Sequence, residues 1–123
     1  MTDRRDRWLH WKRRLAEANL PNLYDTEEVA ADDKVVRFRV TIPGARAVWL
    51  LVEYDPERQI GFGWCDLGID LGEWGYVFLP ELANVEAGPP DNVLRAVIDE
   101  SFVPTRFGDV SRQHSDTIRP SEE

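Results

Sequence analysis

Between residues 34 and 79 the chain passes through a series of short alternating apolar runs, each closed by a turn signal. That repetition restricts the fold more than any other feature. Val36, Phe38, Val40 and Ile42 alternate with Arg37, Arg39 and Thr41, the period-two pattern of a half-buried strand, and Pro43-Gly44 ends it. Val48 to Tyr54 (V-W-L-L-V-E-Y) follows after a short loop, so the two runs predict an antiparallel hairpin. Asp55-Pro56 supplies the next turn. Ile60, Phe62 and Trp64 alternate with Gly61, Gly63 and Cys65, a third strand whose second face is nearly bare and admits another backbone or a bulky aromatic at close range. After D-L-G-I-D-L-G, Trp74 to Leu79 reads as a fourth strand, and Pro80-Glu81-Leu82 begins a short helix with proline in a favoured first-turn position. Beyond the Gly88-Pro89-Pro90 loop, residues 92–100 (N-V-L-R-A-V-I-D-E) read as a second short helix or an irregular segment.

The first residues follow a different period. Thr2 and Asp3 offer an N-cap, Trp8, Trp11, Leu15 and Ala18 recur on one helical face, and Asn19 and Pro21 stop the helix. Arg4, Arg5, Arg7, Lys12, Arg13 and Arg14 occupy the other faces, which makes residues 1–19 a basic amphipathic helix. Such a helix suits anionic lipid, nucleic acid or an acidic protein surface, and the plain alternative is that its tryptophans pack it onto the acidic body behind it. Residues 20–110 then form a single domain, and residues 111–123, polar and acidic, read as a flexible tail. The expected fold is α+β, a four-stranded antiparallel meander with an N-terminal helix and short C-terminal helices over one face.

Charge separates these parts further. The chain carries a net charge of −8 over 123 residues, yet residues 1–14 hold six Lys/Arg against two Asp, which leaves the rest with nine basic and twenty-one acidic residues. Residues 53–100 have eleven acids against Arg58 and Arg95. A body this acidic repels nucleic-acid phosphates, so direct nucleic-acid binding falls to the N-terminal arm alone. No apolar run approaches the roughly 20 residues that span a bilayer, and no hydrophobic signal segment follows the arginines, so no membrane role is expected. A lone cysteine, Cys65, rules out an intramolecular disulfide and suits a reducing cytoplasm.

Catalytic chemistry finds few footholds. There is no phosphate-cradling G-x-x-x-x-G-K-[ST] or G-x-G-x-x-G stretch, and both histidines, His10 and His114, fall in the extensions, which leaves the domain without a histidine base. Ser101 is the only serine before residue 111, and Cys65 reads as an inert strand residue. Asp66, Asp70 and Glu73, with Glu53 or Asp55 from a neighbouring turn, are the one carboxylate set with any claim on a divalent ion. They match no EF-hand spacing, and turn geometry alone explains such residues, so neither a metal nor a cofactor is expected.

Aromatics supply the other candidate site. Trp49, Trp64, Trp74 and Tyr76 lie on three adjacent expected strands, with Phe62 beside Trp64. They form either core or an exposed patch rimmed by Glu53, Asp66, Asp70 and Glu73, an anchor-and-rim surface for a protein partner.

The segments L-P-N-L-Y-D-T-E (20–27), F-G-W (62–64), E-W-G-Y-V-F-L-P-E-L (73–82) and D-E-S-F-V-P-T (99–105) resemble, in order and spacing, an uncharacterised family of small bacterial domains of unknown function. That family is found largely on plasmids, phages and integrative elements, and the resemblance covers about residues 18–107. It implies an accessory protein of a mobile genetic element and no particular chemistry. Three functions are therefore expected in descending order. The first is a non-enzymatic acidic protein that binds a protein partner, in its concrete version an anti-restriction or anti-CRISPR inhibitor that imitates DNA charge against a nucleic-acid enzyme of host defence. The second is a nucleic-acid-binding accessory protein acting through the basic helix. The third is a divalent-metal-dependent hydrolase using the 66–73 carboxylates.

Overall fold

The computed structural model describes residues 4–68 and 72–110. Helix α1 (Arg4–Glu17) leads into a loop and a 3₁₀ turn (Ala31–Asp33). Strands β1 (Val35–Val36), β2 (Phe38–Thr41), β3 (Val48–Asp55), β4 (Ile60–Asp66) and β5 (Glu73–Phe78) then follow, with helix α2 (Leu79–Ala83) directly after them. Among the described residues four two-residue strands follow: β6 (Glu86–Ala87), β7 (Leu94–Arg95), β8 (Val97–Ile98) and β9 (Thr105–Arg106). Residues 107–110 form a final helical turn.

The expected meander is present, since β2, β3, β4 and β5 pair in succession, each antiparallel to the next. The sheet nevertheless has five strands among the described residues, in the order β5-β4-β3-β2-β8. Residues 92–100 are not a helix. Val97 and Ile98 pair with Thr41 and Val40, and the Asp99 N–H extends the ladder to the Arg39 carbonyl at 2.9 Å. Two residues are too short a run to show a period, and their extended form is set by the open edge of β2. Smaller ladders join β1 to β9 and β6 to β7.

Two apolar layers enclose the sheet. On one face, Trp11 and Leu15 of α1 and Leu79 and Leu82 of α2 pack on Phe38, Val40, Leu51 and Tyr54. Burying Trp11 and Leu15 stabilises by roughly 1.5–3 kcal/mol each, so the tryptophan stripe of the basic helix is a core-facing stripe. Asn19, at a φ of 55°, stops α1 in the left-handed conformation that asparagine tolerates. On the opposite face, Val36, Val48, Leu50 and Val52 lie beneath Phe107 and Val110, with Phe62, Trp64 and Trp74 at the margin. One β4 glycine marks a close approach of backbones, for a Cβ on Gly63 would stand 2.0 Å from the Leu50 carbonyl oxygen.

Candidate functional site: a buried carboxylate beneath an aromatic edge

The strand β3 carries a bulge. Gly63 opposes Leu51 and Phe62 opposes Glu53, which leaves Val52 as the extra residue. Glu53 therefore lies opposite Phe62 and is 3% exposed. It does not belong to a solvent-facing acidic surface, which corrects the expectation from sequence. A buried carboxylate must have its oxygens satisfied, and the loop after α1 does this. The Tyr24 N–H donates to Oε1 at 2.8 Å and the Thr26 N–H to Oε2 at 2.9 Å, and the Thr26 hydroxyl also donates to Oε2. The Lys34 ammonium in turn donates to the Thr26 carbonyl and, at 3.2 Å, to its hydroxyl, which places a cation one residue from the buried charge.

This clamp shapes Tyr24. Its φ of 72° is a left-handed conformation that an aromatic side chain seldom adopts, and the two ends of Glu53 hold the loop there. Its ring is thereby set against Tyr76 of β5, centroids 6.5 Å apart. From that pair a continuous run of rings crosses the sheet edge. Tyr76 meets Phe62 at 5.1 Å, Phe62 stacks on Trp74 at 5.7 Å, and Trp74 meets Trp64 at 6.0 Å and Phe107 at 4.6 Å. Phe107 anchors the run in the core at one end, while Tyr76 at the other is 57% exposed and neighbouring Phe78 is 50% exposed. A side-chain hydrogen bond with Tyr24, partial desolvation and the charges of Glu53 and Glu27 raise the Tyr76 hydroxyl above the usual phenol range, so it stays protonated.

Of the four expected aromatics, Trp64, Trp74 and Tyr76 share this face. Trp49 does not. It pairs with Cys65 in register and packs with the opposite layer, because consecutive residues of β3 alternate between faces. The carboxylates are likewise dispersed. Asp66 accepts the Gly68 N–H at 2.8 Å as a turn residue, Glu73 is exposed at the start of β5, and Asp70 lies outside the described residues, as does the expected tail. Among the described residues, no three His, Cys, Asp or Glu side chains gather as metal ligands. Burial, with the charges of Asp66 and Glu73, pushes the Cys65 thiol up, away from the thiolate a nucleophile needs.

The basic arm divides as well. Arg14 bonds Glu17 at 3.0 Å and Glu100 at 2.7 Å, and Arg7 lies 3.9 Å from Glu86, so these two fasten the helix to the body. Arg4, Arg5, Lys12 and Arg13 are exposed and form no ion pair among the described residues. Sequence reasoning missed Tyr24 and Thr26. The available signal was Glu53 itself, a lone carboxylate between Val52 and Tyr54 in an otherwise apolar strand, which demands donors from elsewhere in the chain.

No curated protein and no solved structure matches this chain. No helix among the described residues is long and apolar enough to cross a membrane. The model of one family, described as Protein of unknown function (DUF2958), matches residues 12–107, which takes in Tyr24, Glu53 and every ring of the aromatic edge but only the second half of α1; the chain belongs to that family.

Proposed function

We propose that this is a non-enzymatic accessory protein of a mobile genetic element, and that it binds a partner protein through the aromatic edge of its sheet. The observation that carries the reading is the Tyr24–Tyr76 pair. A buried carboxylate and a strained backbone are used to present a tyrosine beside Tyr76 and Phe78, both at least half exposed among the described residues. Large rings anchored in a core at one end and exposed at the other are the usual hot spots of protein interfaces. The acidic body favours a partner with a basic surface, such as a nucleic-acid enzyme of host defence, so an anti-restriction or anti-CRISPR inhibitor is the concrete version. With Glu53 enclosed, the rings contribute anchoring and the carboxylates contribute steering. The test is capture from the native host with the full chain and with a Tyr24→Ala/Tyr76→Ala variant of confirmed fold. The wild type should retain a partner that added salt weakens and the variant should lose it, whereas equal capture by both removes the aromatic edge from consideration.

A second reading rests on Arg5, Lys12 and Arg13, which face outward without ion-pair partners among the described residues and offer a nucleic acid a small basic strip. Deleting the arm cannot test it, because Trp11 is 3% exposed and belongs to the core. Changing the three side chains to Gln keeps the helix. Unchanged retention on single-stranded and duplex DNA would sink this reading.

A further inference from the structure

We infer that β5 is a receptor edge that accepts an extended, basic segment of the partner as a sixth strand. The inference rests on the proposed binding role and names the manner of it. Among the described residues the sheet ends at β5, whose only neighbour there is β4. The ladder between them has a definite phase, because the Leu79 N–H donates to the Gln59 carbonyl at 2.9 Å, in line with the Ile60–Phe78 and Gly61–Val77 register. In an antiparallel pair, hydrogen-bonded and non-bonded positions alternate. Val77, Gly75 and Glu73 therefore turn their backbone groups towards β4, and Trp74, Tyr76 and Phe78 turn theirs outward from the sheet. Natural edges are usually blunted by lysine, proline or a covering loop, and Glu73–Phe78 contains neither residue. Its side chains instead extend the aromatic run.

The opposite face of the same edge supplies selectivity. A Cβ built on Gly75 meets nothing within 4 Å, and a slot of about 200 Å³ opens there, with Gly63 and Gly75 as its floor and Trp49, Cys65, Glu73 and Val77 around it. In an added strand, the residue beside Gly75 points to this face. An arginine or lysine there lays its aliphatic stem over the two glycines, its head near the Glu73 carboxylate and the Trp49 ring. The charge of residues 53–100 acts in the same direction, as it attracts a basic segment and repels a second copy of this acidic chain.

The probe is a short, end-capped peptide of alternating Arg and Val, added to the full, isotope-labelled chain and followed by amide NMR. Binding should shift the Trp74, Tyr76 and Phe78 amides and slow their hydrogen exchange. N-methylation of the peptide amides that face β5 should weaken binding about tenfold or more, while methylation of the alternate set should not. Gly75→Leu, which fills the slot, and Glu73→Gln should each weaken it several-fold without lowering the melting temperature. Equal binding by both methylated peptides, or binding that leaves the three amides unchanged, overturns strand addition and leaves the surface reading intact. No binding at roughly millimolar peptide also overturns it, and the Tyr76-dependent capture of a partner then stands or falls by itself. Protection of the three amides that rises with protein concentration and needs no peptide overturns it in favour of a second copy.

Discussion

The Glu53 carboxylate accepts the Tyr24 N–H at 2.8 Å across 29 residues of sequence and so couples the interior of the sheet to the backbone of an exposed loop. Glu53→Ala leaves the Tyr24 and Thr26 N–H groups without their acceptor. It should cost about 2 to 5 kcal/mol in urea melts, with Glu53→Gln intermediate. A loss under about 0.5 kcal/mol for the alanine variant would mean that water replaces the carboxylate, and that Tyr24 needs no clamp.

Helix α1 serves as structure on one side and carries charge on the other. Trp11→Ala should destabilise by about 3 to 5 kcal/mol, since the ring is buried with Phe38 edge-on at 6.2 Å. The combined Arg5, Lys12 and Arg13 to Gln variant should stay within about 0.5 kcal/mol of wild type. Thermal or urea unfolding separates the two outcomes directly.

Trp74 is half-buried, with Phe62, Trp64 and Phe107 around it. Trp74→Ala should therefore cost about 2 to 4 kcal/mol, less than a fully enclosed indole, and should diminish the near-ultraviolet circular dichroism. An unchanged aromatic signal would show that the ring run is not rigid.

Gly63 and Gly75 face each other across β4 and β5 but differ in surroundings. Gly63→Ala drives a methyl into the Leu50 backbone and should cost about 3 kcal/mol or more, whereas Gly75→Ala enters open space and should be tolerated. Equal melting curves for the two variants would contradict the close approach of β3 and β4.

Asp99 ties β8 to β2 through the Arg39 guanidinium at 2.8 Å. Burial pushes its carboxyl up, but hydrogen bonds from the Ser101 hydroxyl and Arg39, with the Arg39 charge, outweigh that and hold it below the usual carboxylate range. The folded state thus binds this proton less readily than the unfolded chain. The contribution is full above the ordinary carboxylate range and is lost as pH falls from that range through the lowered folded value. Asp99→Asn should lower stability at neutral pH by about 0.5 to 1 kcal/mol and flatten the acid limb of the stability curve. An acid limb identical to wild type would show that other carboxylates set it.

The three turns of the meander and the stripe of α1 were legible because each is written in local spacing, from Pro43-Gly44 to the run Trp8, Trp11, Leu15 and Ala18. Val97 and Ile98 were not, since their extended form comes from pairing with Thr41 and Val40 far away in sequence. The aromatic site was half visible. Alternation places Trp64, Trp74 and Tyr76 together, but the same rule, applied to the register of β3, moves Trp49 to the other face. Glu53 was misread because net charge is blind to burial, and one bulge in β3 sets where a carboxylate points.

The β2 edge and the layer over Val48 and Leu50 are both closed by residues beyond position 95, with Val35 pairing to Arg106 and Val40 to Ile98. On a ribosome, the meander emerges well before those partners, carrying one open edge at β2 and another at β5. A nascent chain of this kind cannot complete its core until residues 97–110 have emerged, and until then its exposed strands are available to chaperones or to neighbouring chains. Slow translation after β5 would lengthen that interval, and a frameshift just after β5 would release a protein with its hairpins formed and the residues that close them missing.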